Sequence, residues 1–176
     1  MVKTAKRGVG LLYYMEYSSV LGPIVLTCQD TGLTGLWLGR TPPVDAVAAQ
    51  THPILCQTCA WLDNYFAGEN TPPRIPLELE GSAFQKSVWN LLREIPWGSV
   101  ITYGDIAREM ERQTGKRMSA QAVGGAVGRN PVGILIPCHR VVGAKGKLTG
   151  YAWGLDKKLW LLKHEGWKGW EAYDHK

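Results

Sequence analysis

The chain has 176 residues, of which 45% are hydrophobic and 20% charged, with a formal net charge of +5 at pH 7. That composition suits a globular protein with a core of its own, and no apolar run reaches the roughly 18 residues of a membrane-spanning helix. Residues 1–80 hold 5 Lys+Arg against 7 Asp+Glu, a net of −2, and residues 81–176 hold 15 against 8, a net of +7, so the second half carries either a solvated basic face or a surface for a polyanion such as nucleic acid.

The N-terminus, MVKTAKRGVGLLYYMEYSS, is basic, but its apolar run is short and tyrosine-rich and no small-residue cleavage site follows. No signal peptide is expected. LLYYMEYSS, GPIVLTCQ and GLTGLWLG are β-branched or aromatic runs separated by turn residues, which predicts a three-stranded antiparallel meander. TPPVDAVAAQTHP breaks the pattern, and ILCQTCAWLDNYFAG has the apolar spacing of a helix ending at Gly68. ENTPPRIPLELEGS contains three prolines and no helical period, so it reads as a linker.

The second half opens with a predicted Ser82 cap and a helix carrying Phe84, Val88, Leu91, Leu92 and Ile95 on one face, stopped by Pro96. Thr102 and Asp105 stand at capping-box spacing before a helix, and after the turn QTGKR Ser119 caps a further one, AQAVGGAVGRN. Two short helices joined by a tight turn predict a helix-turn-helix. GLDKKLWLLKHEG is a final amphipathic helix with Leu155, Leu159 and Leu162 expected inward and Gly166 as its stop. The four cysteines, Cys28, Cys56, Cys59 and Cys138, lack the spacing of a disulfide framework; a reducing interior is expected, hence a cytoplasmic protein, nucleoid-associated in a bacterium.

Between these last two helices lies ILIPCHRVVG, residues 134–143. A cysteine attacks as its thiolate, so Cys138 needs a partner that takes its proton. His139 is adjacent, but sequence neighbours point in different directions, so a relay through water is the available route.

PCHRVV, with Asn130 and Pro131 before it and GKLTGYAWGLDKK after it, resembles the O6-alkylguanine-DNA alkyltransferase family, also called methylated-DNA–protein-cysteine methyltransferases. The likeness extends over FQKSVWNLLREIPWGSVITYGDIA, AVGGAVGRNP and LLKHEG, and covers nearly the whole second half; the first half fits more loosely. It implies an α+β protein with two domains: a small N-terminal α/β domain with its three-stranded antiparallel sheet and linker at 1–79, and a mostly helical, winged-helix-like DNA-binding domain at 80–176. It also implies stoichiometric transfer of an alkyl group from O6 of guanine to a cysteine, after minor-groove binding and rotation of the damaged nucleotide out of the stack. The partner would be double-stranded DNA containing O6-alkylguanine, met by a monomer with no cofactor, no membrane and no obligate protein partner.

Residue by residue, the resemblance makes Cys138 the alkyl acceptor, His139 its base through a water, and Glu165 the group that orients that histidine. Tyr103 would help displace the nucleotide and donate to the base, and Asn130 would brace the turn carrying the cysteine. Tyr151, Trp153, Gln121, Arg140 and the backbone of Val141 would meet the substrate. Thr102, Tyr103, Ala120, Gln121, Gly124 and Arg129 would meet DNA. Many relatives carry arginine where this chain has Gln121, which is uncharged and shorter, so weaker duplex affinity with retained flipping is expected. Many carry glycine where Trp153 stands; a tryptophan there either narrows the base pocket against bulky benzyl-type groups or turns outward onto the last helix.

His52, Cys56 and Cys59 have metal-like spacing, but Pro53 disfavours a helical His52 and no fourth ligand is evident. No metal is expected, and the two cysteines are read as core. A non-catalytic damage-recognition or regulatory DNA-binding protein is the alternative function, but binding-only members of the family replace the cysteine that this chain keeps. A cysteine hydrolase is disfavoured, since no GxCxG-type elbow is present.

Overall fold

The computed structural model describes residues 10–173. Among them no helix is long and apolar enough to cross a membrane. The chain divides into two compact units, one of residues up to 66 together with 71–79, the other of residues 67–70 and 80 onward.

In the first unit the three predicted runs form β1 (Tyr13–Ser19), β2 (Gly22–Gln29) and β3 (Gly32–Leu38), paired antiparallel in sequence order. Ile24 to Cys28 are all buried, so β2 is the covered centre of the sheet. The expected three strands become four: β4 (Val47–Ala48) pairs parallel with β1, giving the order β3-β2-β1-β4. Its pairing is by backbone alone, with Val47 N–H donating to Leu12 O and Ala49 N–H to Tyr14 O, both at 2.9 Å. Two exposed residues bury no face, so they leave no periodic signature.

Helix α1 (Pro53–Phe66) lies against β1, β2 and β3 and buries Ile54, Leu55, Thr58, Leu62 and Tyr65. The expected linker is partly structural. Ile75 is buried, and Leu33 exchanges backbone hydrogen bonds with Pro76 O (2.8 Å) and Glu78 N–H (2.9 Å), so residues 76–78 close the β3 edge. The thiols do not cluster: Cys28 Sγ meets His52 Nδ1 at 3.3 Å, Cys59 Sγ meets Met15 Sδ at 3.4 Å, and Cys56 is exposed rather than in the core.

In the second unit, α2 (Ala83–Arg93) starts at a complete capping box of Ser82 and Gln85. Helix α3 (Tyr103–Thr114) starts at another, of Thr102 and Asp105, and α4 (Ala120–Gly128) at the Ser119 hydroxyl. Each such cap contributes about 1 kcal/mol. α4 packs on both α2 and α3. Trp89, absent from the predicted α2 face, is buried and its indole N–H donates to Ala126 O at 2.9 Å, locking α2 to α4.

A short parallel pair, β5 (Ile101–Thr102) with β6 (Val141–Val142), ties the start of α3 to the segment after the cysteine. Helix α5 (Leu155–His164) follows. Its inward stripe differs from expectation: Leu155 is exposed, and Lys158, Leu161 and Leu162 are buried. The first turn of α5 lies outside the packed face, and a lysine occupies the inward position one turn on.

Candidate active site

The segment from Asn130 to Cys138 is a tight reversal held from within. Asn130 Nδ2–H donates to Ile136 O at 2.8 Å, while its Oδ1 accepts from Val132 N–H at 3.1 Å. Ile136 N–H returns to Val132 O (3.0 Å), and Cys138 N–H donates to Ile136 O (2.8 Å). Ile134 sits at φ 68°, a region β-branched residues avoid, and is buried. The surrounding bonds over-determine that conformation, and their result is a fixed position for the thiol.

Behind the thiol lies a fully buried pair. His139 Nε2 is 2.7 Å from Glu165 Oε1, and Glu165 also accepts from Arg140 Nε (2.7 Å) and Nη2 (2.9 Å). Arg140 Nη1 donates to Ile95 O at 2.5 Å. Burial alone would raise the Glu165 carboxyl, but His139 and Arg140 outweigh it and hold it well below the usual carboxylate range. Burial pushes the imidazole of His139 down more than Glu165 pulls it up. The consistent state is an ionised Glu165 accepting from a neutral imidazole, whose Nε2 bears the proton and whose Nδ1 keeps a lone pair. That Nδ1 is buried and has no hydrogen-bond partner among the described residues.

Cys138 is raised by burial, against the opposing pull of Asn130, the Lys158 ammonium and Tyr151. The resting group is therefore a thiol poised beside groups that favour the thiolate. Lys158 was not foreseen as part of the site. It is 0% exposed, and its ammonium donates to Val141 O (2.5 Å), Thr149 O (2.9 Å) and Gly150 O (3.4 Å). Burial lowers it to about 8, opposed by the cysteine. Its Nζ stands 6.0 Å from the Tyr103 ring centroid and 5.9 Å from that of Tyr151. An inward lysine on an amphipathic helix has no apolar signal to reveal it.

A cavity of about 200 Å³ opens on Cys138 and is walled by Tyr103, Asn130, Tyr151 and Trp153, with Val127 and the glycines around them. Trp153 faces it edge-on to Tyr151, with ring centroids 5.6 Å apart. Its ring lies so close to Gly133 that a Cβ there would fall 2.4 Å from it. A second, shallower groove of about 660 Å³ shares Tyr103, Gly124 and Gly150 with the cavity and adds Thr102, Arg108, Ala120 and Gln121. The Tyr103 hydroxyl donates towards Thr149 O and Gly150 O, each at 3.4 Å.

Three expected residues lie elsewhere. Arg140 lines neither hollow and is committed to Glu165 and Ile95. Val141 is buried, its N–H spent on Cys138 O and its carbonyl on Lys158. Arg129 is exposed at the end of α4, outside both hollows. Among the described residues no cluster of three or more His, Cys, Asp or Glu could hold a metal ion.

A family model described as the DNA binding domain of 6-O-methylguanine DNA methyltransferase matches residues 83–167, and one for that protein's ribonuclease-like domain matches residues 12–79. The methylated-DNA–protein-cysteine methyltransferase of Methanosarcina acetivorans is 44% identical over 158 residues, covering 88% of this chain and 99% of the relative. That of Mycolicibacterium paratuberculosis is 41% identical over 157 residues, covering 88% and 93%. Among solved structures, Mycobacterium tuberculosis OGT in complex with DNA superposes with a TM-score of 0.77 at 38% identity, covering 87% of this chain and 92% of that one. The two matched models together span almost the whole described chain, and on that ground it belongs to the methylated-DNA–protein-cysteine methyltransferase family.

Proposed function

We propose that this protein repairs double-stranded DNA by moving an alkyl group, chiefly methyl, from O6 of guanine to the sulfur of Cys138, once per molecule. The observation that carries the reading is a cavity-facing thiol with the buried Glu165–His139 pair, 2.7 Å apart, behind it. A binding-only protein would have no use for the thiol, which is the group this chain keeps.

Cys138 gives its proton, through one water, to the Nδ1 lone pair of His139, and Glu165 stabilises the imidazolium that forms. The Lys158 ammonium and the donors on Asn130 and Tyr151 stabilise the sulfur anion as it develops. Sulfur attacks the alkyl carbon in line, the S–C bond forms as the O6–C bond breaks, and the guanine departs as an anion. The Tyr103 hydroxyl donates to the base and neutralises that charge. The thioether is not hydrolysed under ordinary conditions, so turnover ends there.

The groove takes the duplex through its minor groove in a winged-helix-like manner, with Thr102, Ala120, Gln121 and Gly124 against it and the damaged nucleotide rotated into the cavity. Residues 80–176 form the working domain, residues 1–79 a separate one, and the protein acts as a monomer. The wall formed by Trp153 across Gly133 favours methyl over benzyl-type groups.

Whole-protein mass after mixing with a duplex carrying one O6-methylguanine is the test. One methyl is expected, on the peptide holding Cys138, with slower transfer from the O6-benzyl substrate. Undiminished loss of the lesion in Cys138→Ala would overturn the assignment.

A further inference from the structure

The walls of the DNA groove divide unevenly by charge. Helix α4, AQAVGGAVG, carries no charged side chain. The α3 wall offers Arg108, which is ion-paired to Asp105. The remaining wall is the segment Gly143–Gly150, from which Gly143, Ala144, Thr149 and Gly150 line the groove. Lys145 and Lys147 stand exposed on that segment, and neither is ion-paired to any described residue.

The segment is built to hold those two ammonium groups out. Gly143 N–H donates to Lys147 O at 2.7 Å, closing a tight loop, and Gly146 N–H donates back to Gly143 O at 3.2 Å. Lys145, at the turn, has φ 58° and ψ 28°, a left-handed conformation that side-chain-bearing residues rarely adopt and asparagine tolerates best. The loop's return strand is anchored from beneath, because Lys158 donates to Thr149 O and Gly150 O. A pinned loop presents its charges with little ordering left to do on binding.

We propose that Gly143–Gly150 is a phosphate-gripping arm, on which Lys145 and Lys147 neutralise backbone phosphates of the duplex and supply the charge that α4 lacks. The proposal rests on the duplex-DNA reading given above and names where that affinity originates. The arm reads no sequence; it sets register and grip, and leaves the base edges to the cavity and α4. Its two lysines lie outside the lining of the cavity that holds Cys138, so they govern binding and not the transfer step.

Binding of an unmodified duplex, measured by fluorescence anisotropy between 50 and 200 mM salt, tests this. Each neutralised phosphate contributes about 0.9 to the slope of log affinity against log salt. Lys145→Asn, which keeps the backbone conformation, and Lys147→Gln should each flatten the slope by about 0.9, and the double variant by about 1.8. Lys145→Arg should leave it unchanged, as should Lys168→Gln on a residue outside the groove. The single-turnover transfer rate at saturating methylated duplex should stay within about twofold in all of them. An unchanged slope in the double variant, the same flattening in Lys168→Gln, or flattening in the charge-retaining Lys145→Arg would each overturn the arm. If the unaltered protein binds and methylates itself normally while the double variant keeps its slope, only the arm fails. If the unaltered protein neither binds duplex nor gains a methyl group, the repair reading itself fails and takes the arm with it.

Discussion

Lys158 shows most directly how a single side chain can decide the chemistry here. A buried ammonium with no carboxylate partner is costly, and three carbonyl oxygens compensate it: Val141, Thr149 and Gly150. In return a positive charge sits where the Cys138 thiolate must form, opposing the effect of burial. Lys158→Met keeps the stem and removes the charge. Its single-turnover rate at pH 7 should fall by about tenfold or more, and the pH at which transfer reaches half its maximum should move upward, because nothing then offsets the desolvation of the thiolate. Transfer rates from methylated duplex across pH 6–10, compared with the unaltered protein, check this; an unmoved midpoint would reduce Lys158 to packing. Cys138, His139 and Glu165 were legible in the sequence because a family pattern surrounds them. Lys158 was not, because counting apolar positions along a helix scores any lysine as solvent-facing. Arg140, which the resemblance put at the substrate, is committed instead to a carboxylate 25 positions away.

At the scale of elements, what was readable follows the chemistry of ends and turns. Ser82, Thr102 and Ser119 announced their helices because a hydroxyl before an apolar period has one good use, the orphan N–H groups of the first turn. The β4 strand had no such mark, since its two residues pair through backbone already offered by β1. The Asn130–Cys138 reversal lies between these cases: its asparagine was identified, but the left-handed Ile134 was not, because isoleucine gives no warning of positive φ. Asn130 carries this element, satisfying the buried Val132 N–H and giving the Ile136 carbonyl a second donor beside Cys138 N–H. Asn130→Ala should therefore destabilise the protein by about 1–3 kcal/mol and slow transfer well beyond what the remaining folded fraction explains. Asn130→Asp, which keeps the acceptor, should be less damaging to stability. Urea unfolding read beside single-turnover rates separates the two effects, and a rate loss that merely tracks the unfolded fraction would remove Asn130 from the chemistry.

On the scale of the whole molecule, the second unit converges on Glu165. Its carboxylate joins the cysteine segment through His139 and Arg140, Arg140 reaches on to Ile95 at the end of α2, and Glu165 itself caps α5. The turn before β5 presses on the same point, where a Cβ on Gly98 would fall 2.8 Å from Glu165 O. Titration of this one group should thus be felt as stability of the unit. The folded-state carboxyl is held below its unfolded value, so between the two values the unfolded chain binds more protons. The stability Glu165 supplies is fully present above about pH 4.3 and drains away as pH falls through the folded value. Lys158 acts with the same sign at the other end: lowered from 10.5 to about 8, it makes the folded state bind fewer protons than the unfolded chain across that window, so stability rises with pH there. Glu165→Gln isolates the acid limb, because a glutamine cannot titrate. At pH 7 it should be less stable than the unaltered protein by about 3 kcal/mol, the cost of breaking a buried pair. At pH 3 the gap should narrow, since the unaltered protein has begun to lose what the variant never had. Urea unfolding followed by tryptophan fluorescence, to which Trp89, Trp97, Trp153 and Trp160 in this unit all contribute, measures the gap at both pH values. A gap of equal size at pH 3 and pH 7 would mean that the ionised carboxylate is not what binds these three elements together.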